Sequence, residues 1–427
     1  MTTIHGARAR GLVILTSLTL ALTLLLLAPA GAAASLEARI AAALTHQGLA
    51  GSGTSVGVYD LTQKRCLYAL RWDALRIPAS NEKLVTSATA LASWSATYRF
   101  GTQLLLQTSG PDERGVLSGD VYLRGMGDPS LSTTSFQTGY LGLRTSNVRD
   151  LVTRMRALGV TKITGRVRAD DGYFDRSRTV GSWRPSMTAY CGPLSALTLN
   201  EGFGGGGHYV RDPSLWAAAR FTALLRDAGI KVPHSAARGA TPATATLVGT
   251  ESSTTLGRLL AAMNKPSDNF FAEELLKGLG ASFGGAGTTA AGAHVATEYL
   301  KSIGVTEGFR IRDGSGLSYA DKLSAHAVIK ILSTMTRRPD FTVFWKSLAV
   351  AGVDGTLEDR MKGTRAAGNV HAKTDTLDVS SCLSGYVTSA SRHLLAFSIL
   401  MNGSGLPIAQ ANAAQDAIAV LLAGSRP

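Results

Sequence analysis

The chain is poor in cysteine, in acid relative to base, and in long apolar runs beyond its first residues. Only three cysteines occur in 427 residues, Cys66, Cys191 and Cys382, so at most one disulfide can form. That excludes a disulfide-built scaffold and makes a buried, inert thiol the expected state of each. No CxxC or HExxH pattern occurs and no cysteine has a histidine at ligand spacing, so neither a metal nor another cofactor is implied. Bases outnumber acids by 43 to 30, for a net charge of +13. The bases are scattered, with no Lys/Arg block and no aromatic-studded basic helix, which argues against nucleic acid as a partner. An anionic wall polymer or a membrane surface suits such a charge better.

What is present starts at the N-terminus. Arg8 and Arg10 precede the uncharged run GLVILTSLTLALTLLLLAPA, and GAAAS then offers small residues at Ala32 and Ala34. This order of charge, apolar run and small residues is that of a secretory signal peptide over 1–34, cleaved near Ala34. The run is also long enough to stay as a membrane anchor. Either way the protein is expected outside the cytoplasm.

The rest of the chain is too long for one average domain, and 45% apolar residues give it a real core. LEARIAAALTHQG reads as a helix, GTSVGVYDL and CLYAL as a hairpin, and RIPASNEKLVTSATAL as an approach to a longer helix. From residue 97 to 251 short strands alternate with two helices, NVRDLVTRMRALG and LWAAARFTALLRDAG, which suggests an inserted, smaller domain. Residues 252–427 give four helices, then VHAKTDTL, SGYVT and LLAFSILMNG as strands, and a last helix. Segments 35–96 and 252–427 are therefore expected to complete one α/β domain around the insertion. Oligomeric state leaves no mark on the sequence.

Three short stretches could carry chemistry. Ser80 and Lys83 stand three apart at a helix start, so the amine can reach the hydroxyl. A serine is a poor nucleophile until a base takes its proton, and a lysine serves only when burial or a nearby cation lowers its pKa. Taken alone, Ser80 reads as a helix cap before it reads as a catalyst. Ser267-Asp268-Asn269 lies between two helices, where Ser267 or Asn269 could cap the second or present polar groups to a cleft. Lys373-Thr374-Asp375-Thr376 lies in a strand-like run.

Taken together and in this order, the three approach the S-x-x-K, S-D-N and K-T-G set of penicillin-binding proteins and serine β-lactamases. The chain most resembles the D-alanyl-D-alanine carboxypeptidase/endopeptidase family of low-molecular-mass penicillin-binding proteins (class C). YLRGMGDPSL, ITGRVRADDGYFD, DGSGLS and GVDGTLEDRM extend the likeness over nearly the whole mature chain. The resemblance implies a serine β-lactamase/transpeptidase-like domain, an antiparallel sheet flanked by helices, with peptidoglycan peptides as substrates and β-lactam antibiotics as acylating ligands. It implies Ser80 as nucleophile, Lys83 as general base and Ser267 as proton relay to the leaving amine. Asn269 would hold the substrate amide, and Lys373 would supply positive potential. Thr374 and Thr376 would bind a terminal carboxylate, and the N–H groups of Ser80 and Thr376 would form the oxyanion hole.

One departure stands out. Asp375 replaces the glycine of the third motif, where its carboxylate could pair with Lys373, repel a substrate carboxylate or crowd the cleft. Slowed acylation or altered specificity is the expected result. Two rivals remain: a β-lactamase-like hydrolase, and a catalytically impaired peptidoglycan-binding protein. Gly53-Thr-Ser55-Val-Gly57 matches G-x-S-x-G but lies inside a strand, where no nucleophile elbow forms.

Overall fold

The computed structural model describes residues 34–427, so the expected signal peptide lies outside the described residues but for Ala34. Helix α1 (Leu36–His46) starts at Ser35, whose hydroxyl accepts from the Ala38 N–H, and buries Ile40 and Leu44. Strands β1 (Thr54–Asp60) and β2 (Arg65–Leu70) form the expected hairpin. Helix α2 (Glu82–Ser93) is buried at every residue from Glu82 to Leu91. Its small side chains, among them Ser87, Ala88 and Ala90, let neighbours approach from all sides.

The middle of the chain supplies β3 (Gly101–Leu106), β4 (Val121–Gly125), α3 (Val148–Ala157), β5 (Val167–Asp170), α4 (Pro213–Asp227), β6 (Ala237–Arg238) and β7 (Thr246–Ser252). Helices α5 (Leu256–Asn264), α6 (Asn269–Phe283), α7 (Thr289–Ser302) and α8 (Ala325–Met335) follow, then a two-turn helix over Phe341–Ser347. The chain ends with β8 (Ala349–Val350), β9 (His371–Leu377), β10 (Ser380–Thr388), β11 (Leu394–Asn402) and α9 (Ile408–Gly424).

The larger sheet has six strands in the order β8-β9-β10-β11-β1-β2, each neighbouring pair antiparallel. The N-terminal hairpin thus completes a sheet built mainly from the C-terminal end. Its central strands are buried on both faces because helices cover both. On one side Ile40 of α1 and Ile418 and Leu422 of α9 pack on Val56, Phe397 and Ile399. On the other, Leu84, Leu275 and Leu332 from α2, α6 and α8 share a core with Tyr386. Each such side chain contributes roughly 1.5–3 kcal/mol on burial.

The second sheet has five strands in the order β6-β5-β4-β3-β7 and its own core around Leu123, Leu151 and Phe221. Its parallel pairs, β4 with β5 and β5 with β6, need crossover connections. Helices α3 and α4 supply them, started by the side chains of Asn147 and Asp212.

One expectation changes and another holds. Cys66 is exposed, not buried, because it lies on the edge strand β2, while Cys191 and Cys382 are buried and all three thiols are free. Ser55, in the G-x-S-x-G stretch, is committed to the hairpin: its hydroxyl donates to the Arg71 carbonyl at 2.9 Å and accepts from Arg76 Nε at 2.8 Å. Among the described residues no helix is long and apolar enough to cross a membrane.

Candidate active site

The nucleophile candidate is set by a strained turn. Ala79 has a left-handed φ of 43°, and Ala79–Asn81 form a single 3₁₀ turn before α2. The Asn402 amide clamps the approach, accepting from the Ile77 N–H at 2.6 Å and donating to the Ile77 carbonyl at 3.1 Å. The cap position of α2 belongs to Asn81, with no side-chain cap bond, so Ser80 is no helix cap. Its hydroxyl faces the Lys83 amine at 3.0 Å instead.

Lys83 is fully buried and its amine has two further acceptors, Asn269 Oδ1 at 2.7 Å and the Ser315 carbonyl at 2.8 Å. Asp268 takes the cap of α6, accepting from the Phe271 N–H at 2.8 Å, which leaves Ser267 and Asn269 to face the cleft. Ser267 sits at a left-handed φ of 67° and accepts from Lys373 Nζ at 2.9 Å. Lys373, on β9 and also fully buried, donates to the Thr374 carbonyl at 2.8 Å. Asn81 Nδ2 reaches the Lys373 carbonyl at 3.3 Å and ties the nucleophile turn to that strand. Asn269 has its other end on the Tyr190 carbonyl at 2.9 Å.

A cavity of about 660 Å³ opens above these groups and is lined by Ser80, Ser267, Asn269, Thr374, Asp375 and Thr376. Lys83 and Lys373 lie buried beneath it. The structure therefore brings the three motifs together from positions almost 300 residues apart. The Thr374 hydroxyl donates to that of Thr356 at 2.5 Å, and the Thr376 hydroxyl to the Asp375 carbonyl at 2.8 Å. At the rim, the Tyr319 hydroxyl donates to Asp378, and the Arg184 guanidinium lies 3.6 Å from the Tyr319 ring centre.

Asp375 takes up a position that strand alternation could not give. No ion pair joins it to Lys373 among the described residues. Its Oδ1 accepts from the Ser80 N–H at 2.8 Å, the nucleophile candidate's own amide, and its Oδ2 is buried without a partner.

The charges fit a site tuned by burial. Burial lowers the Lys83 amine, opposed by the carboxylates of Asp375, Asp313, Asp268 and Glu273. Burial lowers Lys373 further, reinforced by the Lys83 charge. Burial pushes the Asp375 carboxyl up to about 6, against the pull of the Ser80 N–H and the two amines.

Sequence reading quoted DGSGLS (313–318) for its likeness but gave it no role, and the structure makes it a supporting loop. Asp313 Oδ1 accepts from the Gly316 N–H at 2.6 Å, and Oδ2 accepts from Ser318 N and Trp183 Nε1 at 2.7 Å each. Glu273 Oε1 accepts from Gly314 N at 3.0 Å and Ser315 N at 2.8 Å. These bonds aim the Ser315 carbonyl at Lys83. Two signals were available: the glycine pair of DGSGLS, and Glu273 one helical turn after Asn269.

Comparison with known proteins bears on the family and the fold. The profile described as the D-Ala-D-Ala carboxypeptidase 3 (S13) family matches residues 36–204 and 207–425. A D-alanyl-D-alanine carboxypeptidase of Actinomadura sp. is 31% identical over 98% of this chain and 91% of its own. A carboxypeptidase of Mycolicibacterium smegmatis is 27% identical over 77% of this chain and 72% of its own. The crystal structure of penicillin binding protein 4 from Haemophilus influenzae superposes with a TM-score of 0.74 at 19% identity, covering 87% of this chain and 98% of that one.

Proposed function

The chain belongs to the D-Ala-D-Ala carboxypeptidase 3 (S13) family and is an enzyme of the D-Ala-D-Ala carboxypeptidase type, and we propose that it cleaves peptidoglycan peptides through an acyl-enzyme on Ser80. The observation that carries this reading is the Ser80 hydroxyl 3.0 Å from a fully buried amine at the floor of the cavity.

Lys83 takes the Ser80 proton as Oγ attacks the carbonyl of the penultimate D-Ala. Burial suits the lysine to this task by disfavouring its charged form. Asn269, expected from the sequence to hold the substrate amide, has both ends of its side chain engaged, Oδ1 on the Lys83 amine and Nδ2 on the Tyr190 carbonyl, and so acts as a positioning residue. Ser267, hydrogen-bonded to Lys373, relays the proton that Lys83 took to the leaving amine as the C–N bond breaks. The Ser80 and Thr376 N–H groups receive the developing oxyanion, each such donor being worth about 3 kcal/mol. Water then releases the acid and frees Ser80. The same step on a cross-link is an endopeptidase reaction, and a β-lactam carbonyl presents the same electrophile. Residues 1–34 would export the enzyme to the wall, and 97–251 form the inserted domain.

The contact of Asp375 with the Ser80 amide favours a slow enzyme as the second reading. The test is release of D-alanine from an N-acylated peptide ending in D-Ala-D-Ala. Release by the wild type that is lost in Ser80→Ala supports the proposal. Equal release by both proteins overturns it.

A further inference from the structure

The hydrogen bond between Asp375 and the Ser80 amide bears on which acyl donors the cleft accepts; this argument rests on Ser80 being the nucleophile. The carbonyl that Ser80 attacks must place its oxygen near the Ser80 N–H, because that amide lies beside the attacking atom. In this structure the amide already donates to the Asp375 carboxylate at 2.8 Å. Asp375 is 93% buried by its 7% exposure, yet its Oδ2 has no hydrogen-bond partner. Its charge is thus held against the amide and offset only in part by the Lys83 and Lys373 amines.

We propose that Asp375 is the specificity-determining residue of this cleft: its carboxylate occupies the oxyanion amide at rest, and its charge selects acyl donors whose leaving amine carries a neutral group, such as a carboxamide, over those that carry a free carboxylate. The covalent structure of the donor sets the distances. The carboxylate carbon of a terminal D-Ala is three bonds from the scissile carbonyl carbon, hence within about 4 Å of it. A donor seated for attack thus brings its terminal carboxylate to roughly 5 Å from a group on the Ser80 amide. Two like charges at that distance, at an effective dielectric near 20, oppose each other by about a hundredfold in binding. Lys83 and Lys373 offset part of this, but burial depresses both amines. A carboxamide brings no charge, and its N–H can donate to the unpartnered Oδ2. In peptidoglycan terms the favoured donors are stem peptides or cross-links in which the carboxyl next to the scissile amide is amidated.

The test compares kcat/KM for one N-acylated peptide ending in D-Ala-D-Ala and for its C-terminal carboxamide. Wild type, Asp375→Gly and Asp375→Asn are measured side by side, the asparagine variant keeping the side-chain shape in case glycine loosens β9. The wild type is expected to favour the carboxamide, and both variants to lower the amide-to-acid ratio by about tenfold or more. Asp375→Gly should also raise turnover of both peptides by freeing the amide. A ratio unchanged across the three proteins, with cleavage still lost in Ser80→Ala, overturns the assignment of Asp375 alone. Absence of Ser80-dependent cleavage in every protein overturns the peptidase reading and this assignment together.

Discussion

Gly316 rests its bare α-carbon on the Ala79 carbonyl, one residue before the nucleophile candidate, at a left-handed φ of 84°. A β-carbon there would run into that carbonyl oxygen. Gly316→Ala must therefore shift the turn that aims Ser80, and it adds left-handed strain as well. The expected cost is about 2 kcal/mol or more in unfolding free energy, with acylation of Ser80 slowed by about tenfold or more. Denaturant melts and β-lactam labelling check both, and wild-type behaviour in both would contradict the packing argument.

Lys83→Met replaces a buried amine with an apolar chain of similar length. The desolvation cost disappears, while Ser80, Asn269 and Ser315 lose a donor, so the two effects largely cancel. Thermal unfolding is expected to move by only a few degrees. Acylation is expected to fall by about a hundredfold or more, the usual loss of a general base. A labelling rate close to wild type would remove Lys83 from the mechanism.

Ser267 separates stability from function in another way. Its left-handed φ of 67° is a conformation that glycine adopts freely. Ser267→Gly relieves that strain but leaves the buried Lys373 amine one acceptor short, so stability should stay within about 1 kcal/mol of the wild type. Turnover should fall at a nearly unchanged melting temperature. A variant as fast as the wild type would exclude the proton relay.

Acid-linked stability gives a fourth expectation. Burial pushes the Glu274 carboxyl from 4.5 up to about 8, against the pull of Lys277 and the Ser195 N–H. A carboxyl raised in the folded state contributes stability that is complete below its unfolded value and is lost as pH rises through the folded value. The window is thus pH 4.5 to 8. Across it, Glu274→Gln should gain on the wild type by as much as about 1.4 kcal/mol per pH unit and level off above. The difference between the two curves reads the carboxyl. Parallel stability curves for the two proteins would contradict it.

How much of this was legible in the sequence depends on the range of each signal. The hairpin, the helices and the Ser80–Lys83 pair are local: periods of two and of 3.6, and an i, i+3 spacing, are written within a few residues. The cap at Asp268 was misplaced onto its neighbours, because serine, aspartate and asparagine all cap well and only the backbone decides among them. The partner of Asp375 was out of reach. Alternation along β9 puts it on the face of Lys373, yet its bond runs to an amide 295 residues away, set by how the α2 turn packs on the strand. The 313–318 loop shows only as two glycines, since the bonds that shape it come from buried carboxylates on other segments.

The most direct measurement of the central claim is intact mass after prolonged incubation with benzylpenicillin, wild type beside Ser80→Ala. The account predicts a gain of one benzylpenicillin on the wild type and none on the variant. No adduct on the wild type, or an equal adduct on both, would contradict it.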